Sequence, residues 1–87
     1  MPRILVIDDE KPIRKTLREI LEYENYEVDE AGDGAEGLKL AEKENYDVIL
    51  CDVKMPKMDG LELVEKLTLS RPEIPIVMIS GHGNIDT

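Results

Sequence analysis

Short apolar runs alternate with segments of helical period along the chain. The runs are Ile4–Ile7, Tyr26–Ala31, Tyr46–Cys51 and Ile74–Ile79. Each is of strand length, and the segments between them repeat their apolar residues every three to four positions, as helices do. The pattern therefore predicts strands and helices in strict alternation, beginning with a strand.

Three amphipathic helices are predicted between the runs. Pro12 suits the first turn of the first helix, whose expected apolar face consists of Ile13, Leu17, Ile20 and Leu21. The second follows residues 32–34. The third begins at Asp59, an N-cap with Glu62 three positions on, as in a capping box, and ends at Arg71 before a proline.

Alternating strands and helices predict right-handed crossovers into a parallel sheet. The expected fold class is α/β, a flavodoxin-like arrangement in three α/β/α layers. Runs one, three and four are continuously apolar, as in strands buried on both faces, and are placed centrally. The second run alternates Glu27 and Asp29 with apolar residues, so we place it at an edge.

Composition narrows the classes of function. With 87 residues the chain holds one small domain, and its 20 acidic and 11 basic residues give a net charge of −9. This excess of acid disfavours binding to nucleic acid or anionic membranes and favours a cation. One cysteine, Cys51, excludes an internal disulfide and fits a reducing compartment. The first apolar run is too short for a signal peptide or a membrane span, so we expect a cytoplasmic protein.

Acidic side chains follow two of the predicted strands. Asp8 and Asp9 come after the first strand and Asp52 ends the third, while Ser80 follows the fourth. Ligands of parallel sheets bind beyond the carboxyl ends of the strands. If the first and third strands are neighbours, the carboxylates repel one another and need a cation or a proton. Oxygen ligands in a cleft with room for water suit Mg²⁺.

Each of these residues also has an ordinary structural explanation. Asp8 and Asp9 can be acids that favour a helix N-terminus, and Ser80 can belong to a turn. Asp52 is harder to explain in this way, because a charge at the end of a buried strand is unfavourable unless something binds it.

Four motifs together resemble the receiver domain of two-component response regulators. They are IDDE, AGDGAEGL, DVILCDVKMPKMDG and IVMISGHGNIDT, in that order, and SGHGNIDT in the last resembles receivers attached to ATPase-type activators of transcription. The resemblance covers all 87 residues. It implies a phosphoacceptor domain, and not an enzyme acting on a separate substrate, that receives a phosphoryl group from a sensor histidine kinase.

The resemblance also assigns roles to single residues. Asp52 matches the phosphorylated aspartate, and Asp9 and Asp8 match Mg²⁺ ligands, the latter largely through water. The backbone carbonyl of Lys54 matches a further ligand, and Ser80 the switch hydroxyl. Pro56 and Gly60 match the loop that shapes the acceptor site. Residues Arg14, Lys15 and Arg18 are expected on the solvent side of the first helix, either solvated or contacting the kinase.

The family has a fifth strand with a lysine that pairs with the phosphoryl group, followed by a last helix. We therefore expect residues 1–87 to be a receiver truncated after the start of a fourth helix, near Asn84, with strand order 2-1-3-4. Strand four would then be an exposed edge, and we expect self-association through it.

Three other functions are compatible with parts of this pattern. An aspartyl-phosphate phosphatase would need Asp-x-Asp after the first strand, where Asp8 and Asp9 are adjacent. A flavodoxin-like cofactor binder would need a hydroxyl-rich phosphate loop there, and the acids would repel the phosphate. A receiver that only associates, without phosphorylation switching, has the same motifs, so the sequence does not separate it from a phosphorylated receiver.

Overall fold

Four strands and three helices alternate along the chain in a computed structural model that describes residues 1–52 and 59–79. The elements in chain order are β1 (Arg3–Ile7), α1 (Lys11–Tyr23), β2 (Glu27–Ala31), α2 (Gly34–Lys43), β3 (Val48–Asp52), α3 (Gly60–Ser70) and β4 (Ile76–Ile79). Each predicted strand, and each of the three predicted helices, corresponds to one of these elements. The predicted start of a fourth helix lies outside the described residues.

The strands form one parallel sheet in the order β2-β1-β3-β4, which confirms the predicted fold class and strand order. β1 lies between β2 and β3, so that Ile7 is level with Ala31 on one side and Cys51 on the other. β2 lies at one edge of the sheet, as its alternation of acidic and apolar residues predicted. Strand β4 occupies the other edge of the described sheet, and Val77 is 47% exposed. The continuous apolar run at Ile74–Ile79 therefore does not form a strand buried on both faces in this structure.

Helices cover both faces of the sheet. On one face, Leu17 and Leu21 of α1 pack against β1 and β2. On the other face, α2 and α3 pack against the sheet, and the fully buried side chains of that core include Leu5, Ile7, Ala41, Ile49, Leu63 and Leu67. Burial of these apolar side chains is the main force holding the three layers together.

One residue of the predicted face of α1 is exposed. Ile20 is 55% exposed, whereas Ile13, Leu17 and Leu21 are partly buried. At about 100° per residue, Ile20 lies about 60° around the helix from Leu17, at the border of the apolar stripe. The stripe that contacts the sheet is thus narrower than the sequence pattern suggested.

Side chains cap α2 and α3 at their first turns. Asp59 accepts a hydrogen bond from the Leu61 N–H at 3.2 Å, as the predicted N-cap of α3. Asp33 accepts from the Glu36 N–H at 2.8 Å, and Glu36 in turn accepts from the Gly32 N–H at 2.9 Å. The bonds from Leu61 and Glu36 satisfy amide groups that the first turn of a helix leaves without partners. The bond from Gly32 to Glu36 also fixes the loop that leads from β2 into α2.

Candidate functional site

Three carboxylates meet at the carboxyl ends of β1 and β3. Asp8 and Asp9 directly follow β1, and Asp52 is the last residue of β3. One carboxylate oxygen from each lies within 4.8 Å of those from the other two. Asp8 and Asp52 are fully buried, and Asp9 is half-buried. The convergence predicted from the strand ends is therefore present.

The position of Asp8 is fixed by hydrogen bonds. Its N–H donates to the carbonyl of Ala31 at 3.1 Å, and its Oδ1 accepts from the Glu10 N–H at 2.9 Å. Burial raises the pKa of Asp8 above its ordinary value of 3.8, the bond from Glu10 opposes this, and the charges of Asp52 and Asp9 add to the rise. Asp8 is thus a carboxylate whose charge is unfavourable without a nearby cation.

The carboxylate oxygens of this cluster fit a hard cation. Oδ2 of Asp8 and Oδ1 of Asp9 are buried, and the residues that the structure describes supply no hydrogen-bond donor to either. Buried polar atoms are normally satisfied, and anionic oxygens without donors are the ligands that Mg²⁺ and Ca²⁺ bind. These residues can therefore hold a divalent metal ion.

A second charged group lies directly behind the cluster, and the sequence did not predict it. Arg14 was expected on the solvent side of α1, but its side chain is only 15% exposed, and its Nε donates to Glu30 at 3.0 Å. Its Nη1 donates to the backbone carbonyl of Asp8 at 2.9 Å. Arg18 pairs with the other oxygen of Glu30 at 2.9 Å, and Lys15 is exposed as expected.

A sequence signal for this contact existed in the acid at the end of the neighbouring strand. Glu30 is next to last in β2, whose end is level with that of β1. An arginine in the first turn of α1, the helix that follows β1, can reach such an acid on the neighbouring strand. The helical period of the apolar residues in α1 did not indicate this contact, because by that pattern every charged residue outside the apolar face is expected to face solvent.

Cys51 is buried beside the cluster. Its Sγ lies 3.5 Å from the carbonyl oxygen of Asp52, to which it can donate, and burial raises the pKa of the thiol to about 11. A neutral thiol of this kind is a small core side chain and not a nucleophile at neutral pH.

Several predicted site residues lie outside the described residues. They are Lys54, Pro56 and Ser80, whose proposed roles stay predictions. Gly60 is described and is the first residue of α3, whereas the resemblance matched it to the loop that shapes the acceptor site.

Comparison with known proteins identifies the family of this fold and site. Residues 4–87 match the family model of the response regulator receiver domain. The chain belongs to this family. The receiver is 43% identical over 81 residues to the transcriptional regulatory protein ResD of Bacillus subtilis, a match that covers 93% of this chain and 33% of ResD. The receiver thus spans about a third of that relative's length.

Solved structures agree with this assignment. The response regulator TrrA of Thermotoga maritima, in complex with Mg²⁺-BeF, has a TM-score of 0.89 and 40% identity to the receiver, covering 92% of this chain and 70% of TrrA. A structure of the histidine kinase ThkA in complex with TrrA matches with a TM-score of 0.89 and 37% identity, covering 100% of this chain and 75% of that one. The resemblance seen in the sequence motifs is therefore confirmed.

None of the helices in the described residues is long and apolar enough to span a membrane.

Proposed function

We propose that this receiver accepts a phosphoryl group on Asp52, with Mg²⁺ as cofactor. The observation that carries the proposal is the convergence of Asp8, Asp9 and Asp52 within 4.8 Å of one another at the carboxyl edge of the sheet. Asp8 and Asp9 would hold the metal together with Asp52, and the backbone carbonyl of Lys54 would complete the protein ligands.

Asp52 is the proposed nucleophile of the cluster because, of the three acids, it alone ends a central strand, and because it matches the phosphorylated aspartate of the receiver family. It is paired in register with Ile79 of β4 and ends a strand with neighbours on both sides. A carboxylate oxygen of Asp52 would form the new bond to phosphorus, and the bond from phosphorus to the donor would break. The electron pair of that bond leaves with the donor, which for a phosphohistidine is the imidazole nitrogen, and that nitrogen then takes up a proton. The product on the receiver is an acyl phosphate.

The remaining carboxylates prepare the site for an anionic donor. When bound, Mg²⁺ offsets the negative charge of the phosphoryl oxygens. Asp8 and Asp9 would hold the ion beside Asp52, and Ser80 would donate a hydrogen bond to a phosphoryl oxygen. Without a cation, the three carboxylates would repel the phosphoryl group.

We propose a sensor histidine kinase as the donor, and a cytoplasmic location for the transfer. The ThkA–TrrA complex supports the partner, since a chain of that complex matches the receiver over 100% of its length. The acidic composition is why we propose no direct contact with nucleic acid or membrane by this segment. We regard the domain as a phosphoacceptor and not as an enzyme acting on a separate substrate.

Intact-mass spectrometry tests the proposal. The receiver is incubated with Mg²⁺ and acetyl phosphate, a small acyl phosphate donor, and we expect the mass of one phosphate to be added. Asp52→Asn keeps the shape of the side chain and removes the nucleophile, so labelling should disappear. Asp33→Asn is the matched control, because asparagine also caps a helix and Asp33 lies outside the cluster. Labelling of Asp52→Asn at the normal level contradicts the proposal.

A second proposal concerns association through β4. Strand β4 is an edge of the described sheet, and the half-exposed Val77 lies on it. Unpaired backbone groups on an apolar edge are a template for another strand. We propose that the 87-residue chain on its own pairs β4 with β4 of a second copy. A receiver that only associates would do this and would add no phosphate in the experiment above.

A further inference from the structure

Arg14 connects α1 with β2 and with Asp8, a member of the acidic cluster. It projects from the first turn of α1, its Nε donates to Glu30 of β2 at 3.0 Å, and its Nη1 donates to the carbonyl of Asp8 at 2.9 Å. The side chain is 15% exposed and that of Glu30 is 20% exposed. Gly32 leaves space for the guanidinium, since a Cβ there would lie 3.3 Å from Nη1.

The bond to the Asp8 carbonyl acts on the peptide between the two acids. That carbonyl and the Asp9 N–H belong to one rigid peptide unit, so a change in the orientation of this unit changes ψ of Asp8 and φ of Asp9, the backbone angles that set the relative directions of the two side chains. The other side of the turn is fixed by the Asp8 N–H, which donates to Ala31 at 3.1 Å, and by the Glu10 N–H, which donates to Asp8 Oδ1 at 2.9 Å. Arg14 supplies the bond that holds the orientation of the connecting peptide.

Arg18 provides an internal comparison. It binds the same Glu30 at 2.9 Å and also Glu22 at 3.0 Å, and its side chain is 43% exposed. Both arginines carry one positive charge and connect α1 with β2. Of the two, Arg14 is the one whose hydrogen bond reaches the turn between the cluster's acids.

We propose that Arg14 is a positioning residue of the metal site, which fixes the Asp8–Asp9 peptide so that both carboxylates face the same ion. This inference rests on the proposed function, since it assumes that the cluster binds Mg²⁺. Glu30 aligns the guanidinium and neutralises its charge, so that Arg14 does not compete with the cation. Substitution of residues that orient metal ligands commonly weakens metal binding by about 10-fold to 100-fold.

The sign of the effect separates positioning from electrostatics. Removing a positive charge near the cluster makes its surroundings more negative, and by Coulomb's law this strengthens Mg²⁺ binding. Loss of positioning weakens binding. Arg14→Met therefore gives opposite changes under the two explanations, while Arg18→Met removes the same charge from the same acid and leaves the Asp8 carbonyl bond in place.

The experiment is a Mg²⁺ titration followed by the amide signals of residues 8–10 in ¹H–¹⁵N NMR spectra of the full chain. We expect Arg14→Met to weaken Mg²⁺ binding at least about tenfold, and Arg18→Met to leave it equal or slightly tighter. Arg14→Lys keeps the charge, but a single ammonium does not reproduce the fork that binds Glu30 and the carbonyl together, so its affinity should fall in between. Urea unfolding of the variants shows whether loss of stability is shared by both arginines.

A second measurement applies to the metal-free protein. Hydrogen exchange of the Glu10 amide, which donates to Asp8, should accelerate in Arg14→Met and Arg14→Lys relative to Arg18→Met. Equal Mg²⁺ affinity of Arg14→Met and the wild type, or tighter binding by Arg14→Met, overturns the inference and leaves the proposed function intact. If the wild type binds no Mg²⁺, the proposed function is wrong, and the predicted loss of Mg²⁺ affinity in Arg14→Met is wrong as well. In that case, unchanged hydrogen exchange of the Glu10 amide in the Arg14 variants would also overturn the proposal that Arg14 positions the turn.

Discussion

Replacing Asp8 with asparagine should raise the free energy of unfolding of the metal-free receiver. It should also reduce the further stabilisation that Mg²⁺ provides. Asparagine keeps an oxygen at the Oδ1 position, where Asp8 accepts from the Glu10 N–H at 2.9 Å. It removes one of the three charges that lie within 4.8 Å of one another. The substitution therefore changes the charge of the cluster with little change in its shape.

The size of the effect follows from the separation of the charges. Two carboxylate oxygens no more than 4.8 Å apart repel by about 3.5 kcal/mol or more at an effective dielectric of about 20. Removing Asp8 removes two such pairs, but small movements and proton uptake already relieve part of the repulsion in the wild type. We expect Asp8→Asn to raise the free energy of unfolding without metal by about 1 to 3 kcal/mol. The wild type gains about 2.7 kcal/mol when Mg²⁺ is present at about 100 times its dissociation constant, and Asp8→Asn should gain much less.

The difference between the two proteins should depend on pH. The pKa of Asp8 is raised in the folded state, so the folded protein holds this proton more tightly than the unfolded chain does. The metal-free wild type should consequently lose stability as the pH rises from about 3.8, the ordinary value, through the raised pKa. Asp8→Asn lacks this titration, so its advantage should grow over that range.

Urea unfolding with and without Mg²⁺, at several pH values, measures all of these quantities. Asp33→Asn is the control, since it changes the net charge equally, keeps an N-cap and lies outside the cluster; we expect a change within about 0.5 kcal/mol and a normal response to Mg²⁺. The reasoning fails if Asp8→Asn is less stable than the wild type without metal, or if Mg²⁺ stabilises both equally.

Three further predictions concern packing, association and the thiol. Gly37→Ala should lower the free energy of unfolding by about 1 to 3 kcal/mol in urea, because the new Cβ would lie 2.5 Å from the buried Ile7 Cδ1; an unchanged midpoint would show that α2 moves away easily. Light scattering over a concentration series should show that the isolated chain forms dimers or larger species. Val77→Lys should shift this equilibrium towards the monomer. A wild type that stays monomeric contradicts association through β4. Cys51 should react with a disulfide reagent far more slowly in the native state than in urea, because it is fully buried and its pKa is about 11; equal rates would mean that the core opens readily.

The sheet and the acidic cluster were predictable from the sequence because both depend on local pattern. The run at Ile4–Ile7 marks a central strand through continuous apolar residues, and the alternation at Glu27 and Asp29 marks an edge. Given parallel strands, the convergence of Asp8 and Asp52 follows once β1 and β3 are neighbours, because Asp8 directly follows β1 and Asp52 ends β3.

The role of Arg14 was not predictable in the same way, because its contacts join different elements. Its partner Glu30 lies 16 residues further along the chain, and the carbonyl of Asp8 has no signature in the sequence. Hydrophobic period also misplaced Ile20, since residues at the border of an apolar stripe are buried or exposed according to the shape of the neighbouring sheet. The sequence thus indicates which residues carry the chemistry better than it indicates which residues hold them in place.

Chemical location of the phosphoryl group is the most direct test of Asp52 as the acceptor. After incubation with Mg²⁺ and acetyl phosphate, borohydride reduces an aspartyl phosphate to homoserine, which peptide mass spectrometry then locates. We expect homoserine at residue 52, and none there when the donor is omitted. Homoserine at residue 8 or 9 in place of residue 52, or phosphate that resists borohydride on a hydroxyl side chain, would contradict the proposed function.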